Sequence, residues 1–312
     1  MSDMHMRKGY ALALAEYAAT NPDIVVLDAD TSSSTMSNLF AERFPERFFN
    51  VGIAEPCMID MAVGFAAAGK IPFANGFAAL LSLRALEQVR TCVCYARQNV
   101  KLASTYAGLS DYKDGATHHA ITDIAILRSL PEMTVIVPAD AIEAGLFVPL
   151  VAEYDGPVYL RINRSATINV HAPSAPLEIG KGIIRHEGDD VAIVATGSMT
   201  GRSVRAAERL AQQGISATVV EIHTIKPLDA ELIRQVAART GAIVTAEEHT
   251  VIGGLGSAVT EALCDGRPVP VERVGIYDSF MRTGTGPEPL LDNCGLAITD
   301  VVAATERVLK RK

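Results

Sequence analysis

Glu55 heads an apolar run, FNVGIAEPCMIDMAVGFAAAG, in which no basic residue comes within ten positions on either side except Arg47. A carboxyl group with apolar neighbours and no cationic partner is expected to keep its proton, because burial disfavours the charged form. Such an acid can donate a hydrogen bond, an unusual task for a glutamate. The macrodipole of a helix also favours an acid in its first turn, so the surroundings of Glu55 must decide between a working acid and a helix end. A second cluster is DGATHH, residues 114–119. His118 sits there on a glycine-bearing loop, where a group titrating near neutrality can move protons. His118 and His119 are adjacent with no further histidine close by, a poor ligand set for one ion, so no metal is expected on them.

These residues need a scaffold. Helices are expected over residues 8–20, Glu55 to Ala68, Ala79 to Ala96, Thr122 to Ser129 and through Ala152. Strands are expected at Ile24 to Leu27, Val100 to Ser104, Thr134 to Val137 and Val158 to Ile162. Short apolar runs alternating with helix-length periodic segments argue for crossover units and a parallel sheet. Active sites of such sheets lie at the C-terminal strand ends, where Asp28, Asp30 and Arg161 fall. A polar, proline-bearing stretch with HAPSAP at its centre is the candidate linker. The expected organisation is one domain over 1–165, a linker over 166–182 and a second domain over 183–312, where DVAIVATG, SATVVEI, GAIVTAEE and VERVGI repeat the alternation. The fold class is therefore α/β, two domains each with a mostly parallel sheet covered by helices. GGLG at Gly253 lacks the G-x-G-x-x-G spacing of a nucleotide loop and is expected to serve close helix-to-strand packing.

The 312 residues contain 49% hydrophobic side chains, only 5% aromatic ones and no Trp. The core must then be built from Ala, Val, Ile and Leu, which is how a parallel sheet covered by helices is made. A net charge of -8 and a pI near 5.4 without a basic stripe speak against nucleic acid or an anionic membrane as partner. No apolar stretch is long enough to span a bilayer. The five scattered cysteines are expected to be reduced thiols of a cytoplasmic protein.

Four segments, VVLDADTSSS, NVGIAEPCMIDMAVGFAAAGK, FANGFAALLSLRALEQVR and DGATHHAITDIAILRSLPEMTVIVPAD, together resemble the pyrimidine-binding half of the transketolase family. The rest of the chain resembles that family's C-terminal domain. The resemblance implies a thiamine diphosphate enzyme, in which Glu55 drives the aminopyrimidine into its imino form and so activates the cofactor. Such enzymes hold the diphosphate through Mg2+ on a separate domain bearing a GDG motif and a downstream asparagine. This sequence has no GDG. The expectation is the C-terminal subunit of a split transketolase, active only with a partner chain carrying that motif, self-associating as α2β2.

By the same resemblance Phe77 stacks on the pyrimidine ring, and Asp30 joins the cofactor site. His118 and Asp114 handle the donor sugar, and Arg7, Ser34 and Arg161 hold substrate phosphate, for which guanidinium forks are suited. Two departures stand out. Leu80 and Leu83 occupy places where transketolases often have aromatics, and Tyr106 replaces a histidine that helps bind phosphate. The second departure implies a variant ketose phosphate, such as a branched or modified sugar. The implied reaction is ketol transfer between phosphorylated sugars. The competing readings are the β subunit of a 2-oxoacid dehydrogenase and a non-catalytic scaffold subunit.

Overall fold

The computed structural model describes residues 4–312. Strands β1 (Ile24–Asp28), β2 (Phe48–Asn50), β3 (Ile71–Phe77), β4 (Lys101–Thr105), β5 (Thr134–Ile136) and β6 (Val158–Arg161) form a sheet in the order β5-β6-β4-β3-β1-β2, every neighbouring pair parallel. A second sheet follows the linker, from β7 (Ile183–His186), β8 (Val191–Ala195), β9 (Ala217–Glu221), β11 (Ile243–Thr250) and β12 (Val271–Ile276) in the order β12-β11-β8-β9-β7. Only β7 runs antiparallel there, at an edge. The strands read IVVLD, VAIVA and ATVVE because both faces are buried under helices. The two-domain α/β architecture expected from the sequence is what forms.

A short strand, β10 (Thr224–Lys226), leaves the second domain and pairs antiparallel with β5, extending the first sheet across the domain boundary. Three residues carry too little pattern to be read locally, so β10 was not expected. Nor was β3, where Pro72, Asn75 and Gly76 blur the strand signature. Asn75 is tolerated inside because Tyr10 donates to its side-chain oxygen at 2.9 Å and its amide donates to Phe73 O at 3.0 Å. The helix expected over 79–96 breaks into Ala78–Leu83, Leu86–Gln88 and a wider π-type turn over Val89–Tyr95. Ser82 back-bonds to Ala78 O at 2.7 Å, a contact that bends helices.

The domains are joined by buried polar contacts. Glu248, on β11, accepts from Leu109 N at 2.6 Å, from the Asn163 amide at 3.2 Å and from the Ser198 hydroxyl. GGLG is a packing turn, because Glu247 accepts from Leu255 N and Gly256 N at 2.7 and 2.8 Å and so fills the helix N-terminus itself. A Cβ on Gly254 would lie 2.0 Å from that carboxylate.

Candidate active site

Strands β2, β1, β3, β4 and β6 are neighbours in the sheet, and the residues singled out in the sequence lie at or beyond their C-terminal ends, except Arg7, which sits on the Met6–Tyr17 helix before β1. Glu55 opens the Glu55–Ala67 helix after β2, with Pro56 in the first turn where its missing N–H costs nothing. Asp28 ends β1 and is buried. It accepts from Thr31 N and from the hydroxyls of Thr35 (2.9 Å) and Ser37 (2.8 Å), shaping the turn that presents Ser34. Burial pushes the Asp28 carboxyl upward even against those bonds. Asp30 adopts a left-handed backbone, φ 64°, and accepts from the Asn50 amide at 2.9 Å.

Phe77 ends β3, half-buried, between two rings. Tyr106 lies on it at 4.4 Å with a 32° tilt, and His118 meets it edge-on at 5.9 Å. Tyr106 follows β4 in a left-handed conformation, φ 59°, and is the hub of the site. Its hydroxyl accepts from Arg7 Nη1 at 2.9 Å, and the same nitrogen donates to Ser34 O. The Arg7 and Arg164 guanidinium carbons lie 5.4 and 4.8 Å from the Tyr106 ring centroid. Arg7 and Ser34 are thus brought together, through the Ser34 carbonyl.

Arg161 goes elsewhere. It is 5% exposed, its Nε donates to Asp123 Oδ2 at 2.7 Å, and its Nη2 donates to Ala120 O and Glu248 O at 2.8 and 3.1 Å. Burial alone would raise the Asp123 carboxyl, but the Arg161 guanidinium and His249 hold it below the usual carboxylate range. An arginine engaged on so many sides is a strut. Arg164, three residues on and past the strand, is the guanidinium that reaches Tyr106, and it also donates to Asp111 Oδ1 at 3.1 Å. Sequence reasoning missed Arg164; counting outward from the end of β6 in RINR would have found it.

Asp114 is exposed, and the buried Asp111 beneath it is pushed upward by burial and by the Asp114 charge. His118 Nδ1 lies 3.0 Å from the Thr117 hydroxyl. Burial and the charges of Arg7, Arg164 and Lys8 depress the His5 imidazole, so cationic side chains gather around it.

One expectation about Glu55 fails. Its side chain is buried, 2% exposed, but it has a cationic partner: Arg84 Nη1 donates to Glu55 Oε2 at 2.9 Å. Arg84 is 29 positions away along the chain and arrives on the far side of β1, after β3 and the Ala78–Leu83 helix. A window of ten residues cannot see it.

The family pattern "Transketolase, pyrimidine binding domain" matches residues 2–168, and "Transketolase, C-terminal domain" matches residues 180–301. This chain belongs to the transketolase family. Among its relatives, the "Putative transketolase C-terminal section" of Methanocaldococcus jannaschii is 46% identical, over 91% of this chain and 90% of that protein. The "6-deoxy-6-sulfo-D-fructose transketolase subunit SqwH" of Clostridium sp. is 41% identical, over 98% and 95%. A solved structure described as "Split gene transketolase, inactive beta4 tetramer" superposes with a TM-score of 0.91 at 48% identity, covering 98% of this chain and 99% of that one. The transketolase chain thus corresponds in extent and fold to the C-terminal, pyrimidine-binding subunit of split transketolases. No helix among the described residues is long and apolar enough to cross a membrane.

Proposed function

We propose that this chain supplies the pyrimidine half of a thiamine diphosphate site and, with a partner chain bearing the GDG diphosphate-binding segment and Mg2+, transfers a two-carbon ketol unit between sugar phosphates. The observation that carries the reading is that Glu55, Phe77 and Tyr106 follow the C-terminal ends of β2, β3 and β4, with Arg7 reaching Tyr106 from the first helix: an acid, a ring, a phenol and a guanidinium such as a cofactor ring and a bound sugar phosphate need. When bound, the cofactor supplies the carbon nucleophile. Glu55 then donates a proton to the pyrimidine ring, and Phe77 offers it a face. Asp30, two residues past β1, joins the cofactor site. His118, on the ring edge of Phe77, moves a proton on the donor sugar, and Asp114 reads a hydroxyl. Arg7 and Arg164 grip the phosphate beside Ser34, the role expected of Arg161 passing to Arg164.

The SqwH relative, by its name, acts on a sulfonated sugar, which supports a modified ketose as substrate here. Tyr106 in place of a histidine points the same way, since a phenol offers a neutral group to the anion. The related solved chain is described as an inactive tetramer of β subunits, which supports self-association and dependence on a second chain.

Calorimetric titration with thiamine diphosphate and Mg2+ tests the division of labour. The chain alone should show no tight binding, and a partner carrying GDG should restore it; micromolar binding without a partner would sink the reading. In the reconstituted complex Glu55→Gln should slow proton exchange at the cofactor's reactive carbon by about 10²–10⁴, as expected for loss of a positioned acid. Near-normal exchange would return Glu55 to the status of a helix-end acid.

A further inference from the structure

Arg164 is held by more than Tyr106. Its guanidinium carbon lies 5.5 Å from the Tyr112 ring centroid as well as 4.8 Å from that of Tyr106. Its Nη1 donates to the buried Asp111, and the side chain is 21% exposed. Among the described residues no other N–H of the Arg164 guanidinium has a protein acceptor, which leaves those donors to a ligand or to water. The chemistry of the contacts explains why. A ring stacked on a guanidinium occupies its face and consumes none of the donors along its edge. Asp111 by itself is a single point about which the planar group could pivot, whereas a second ring fixes the plane.

Tyr112 is in turn fixed by the second domain. It is half-buried and packs, like Met281, on an apolar core built mostly from second-domain residues. Its carbonyl accepts from Gly284 N at 2.8 Å, in the segment that follows β12. Thr283 meets the same loop at Gly115, where φ is 79° and a Cβ would lie 2.8 Å from Thr283 Cγ2. An anion gains most from donors already held in place, because little side-chain freedom is lost when it binds. We infer that Tyr112 is a positioning residue for substrate recognition: with its ring on Arg164 and its backbone tied to the second domain, it holds the guanidinium edge ready for the anionic end of the sugar. Through Tyr112 the second domain takes part in selecting an anionic substrate. This inference rests on the reading of Arg164 as an anion-binding residue.

The test is a phosphorus NMR titration of the full chain with inorganic phosphate, since Arg164, Tyr106, Tyr112 and Asp111 all belong to this chain. Tyr112→Leu keeps apolar bulk but loses the aromatic face, and should weaken phosphate binding about tenfold. Tyr112→Phe keeps the ring and should bind as wild type does. In an Arg164→Ala background Tyr112→Leu should cause no further loss, because it acts through the guanidinium. Should Tyr112→Leu fail to fold, Tyr112→Met replaces it. Wild-type affinity in Tyr112→Leu, equal losses in the Leu and Phe variants, or a further loss in the Arg164→Ala background would overturn the positioning role while leaving Arg164 at the anion. No phosphate binding by wild type, or unchanged affinity in Arg164→Ala, would instead overturn the anion role of Arg164 and the inference with it.

Discussion

Arg164 and Arg161 show how three positions separate two kinds of arginine. Arg161 ends β6 with its side chain directed inward, where Asp123 neutralises it; Arg164 has left the strand and lies over Tyr106. Replacing Arg7 or Arg164 by Ala should raise KM for a phosphorylated ketose far more than for its unphosphorylated analogue, since charge-assisted hydrogen bonds are each worth about 1.5–3 kcal/mol. Equal effects on both substrates would remove these guanidinium groups from the phosphate site. Tyr106→His should shift preference toward unmodified pentulose phosphates, read as the ranking across a ketose panel; an unchanged ranking would show that the phenol does not set the sugar.

The loop after β4 is where an element, rather than a single side chain, sets the chemistry. Gly108 follows Tyr106 closely, has φ 62°, and packs so tightly on the second domain that a Cβ would lie 2.3 Å from Glu248 Oε1. A left-handed backbone and a carboxylate at contact distance leave room for glycine alone. The turn that carries Tyr106 therefore depends on β11 of the other domain. Arg161 braces the same junction through Glu248 O. Arg161→Ala should cost about 3–5 kcal/mol in unfolding free energy, because the buried Asp123 would lose its guanidinium and keep only the Tyr159 hydroxyl and the neighbouring His249. A loss below 1 kcal/mol would show that the strut is dispensable.

Across the whole molecule, the linker is pinned at a buried cluster drawn from both domains. Asp140 caps the Ala141–Glu153 helix and meets His171 Nδ1 at 3.0 Å; His171 Nε2 lies 3.5 Å from both Glu143 and Glu221 and is contacted by Arg185, which pairs with Glu221 at 2.5 Å. Burial and the neighbouring Glu221 charge raise the Glu143 carboxyl well above its ordinary range, which favours its protonated form. Glu143→Gln, an isostere of the protonated acid, should change the unfolding midpoint little, whereas Glu221→Gln strips Arg185 of its partner and should lower it clearly. Comparable losses would disprove a protonated Glu143.

Buried histidines set the acid limit of the same assembly. Burial pushes both His223 and His249 down to about 4 from 6.5. Between those values the unfolded chain binds more protons than the folded one, so stability falls as pH drops from 6.5 toward 4. Glu247, raised by burial from 4.5 to about 7, works in the opposite sense over much of that window, because it is protonated in the folded state. His223→Gln should therefore flatten the acid limb of the unfolding curve; an unaltered slope would show that His223 does not titrate on unfolding.

Periodicity and buried β-branched runs were enough to give the α/β class, the two domains and most strands, because a sheet covered on both faces writes its burial directly into the chain. The glutamate at a helix head and the DGATHH loop were legible in the residues themselves, whereas Phe77, at the end of the unpredicted β3, and Tyr106 were singled out only through the family resemblance. The partner of Glu55, the exchange of roles between Arg161 and Arg164, strand β10 and the cluster around His171 were not legible. Each depends on which distant segment arrives beside a residue, and that is fixed by strand order and domain packing, about which spacing along the chain carries no information.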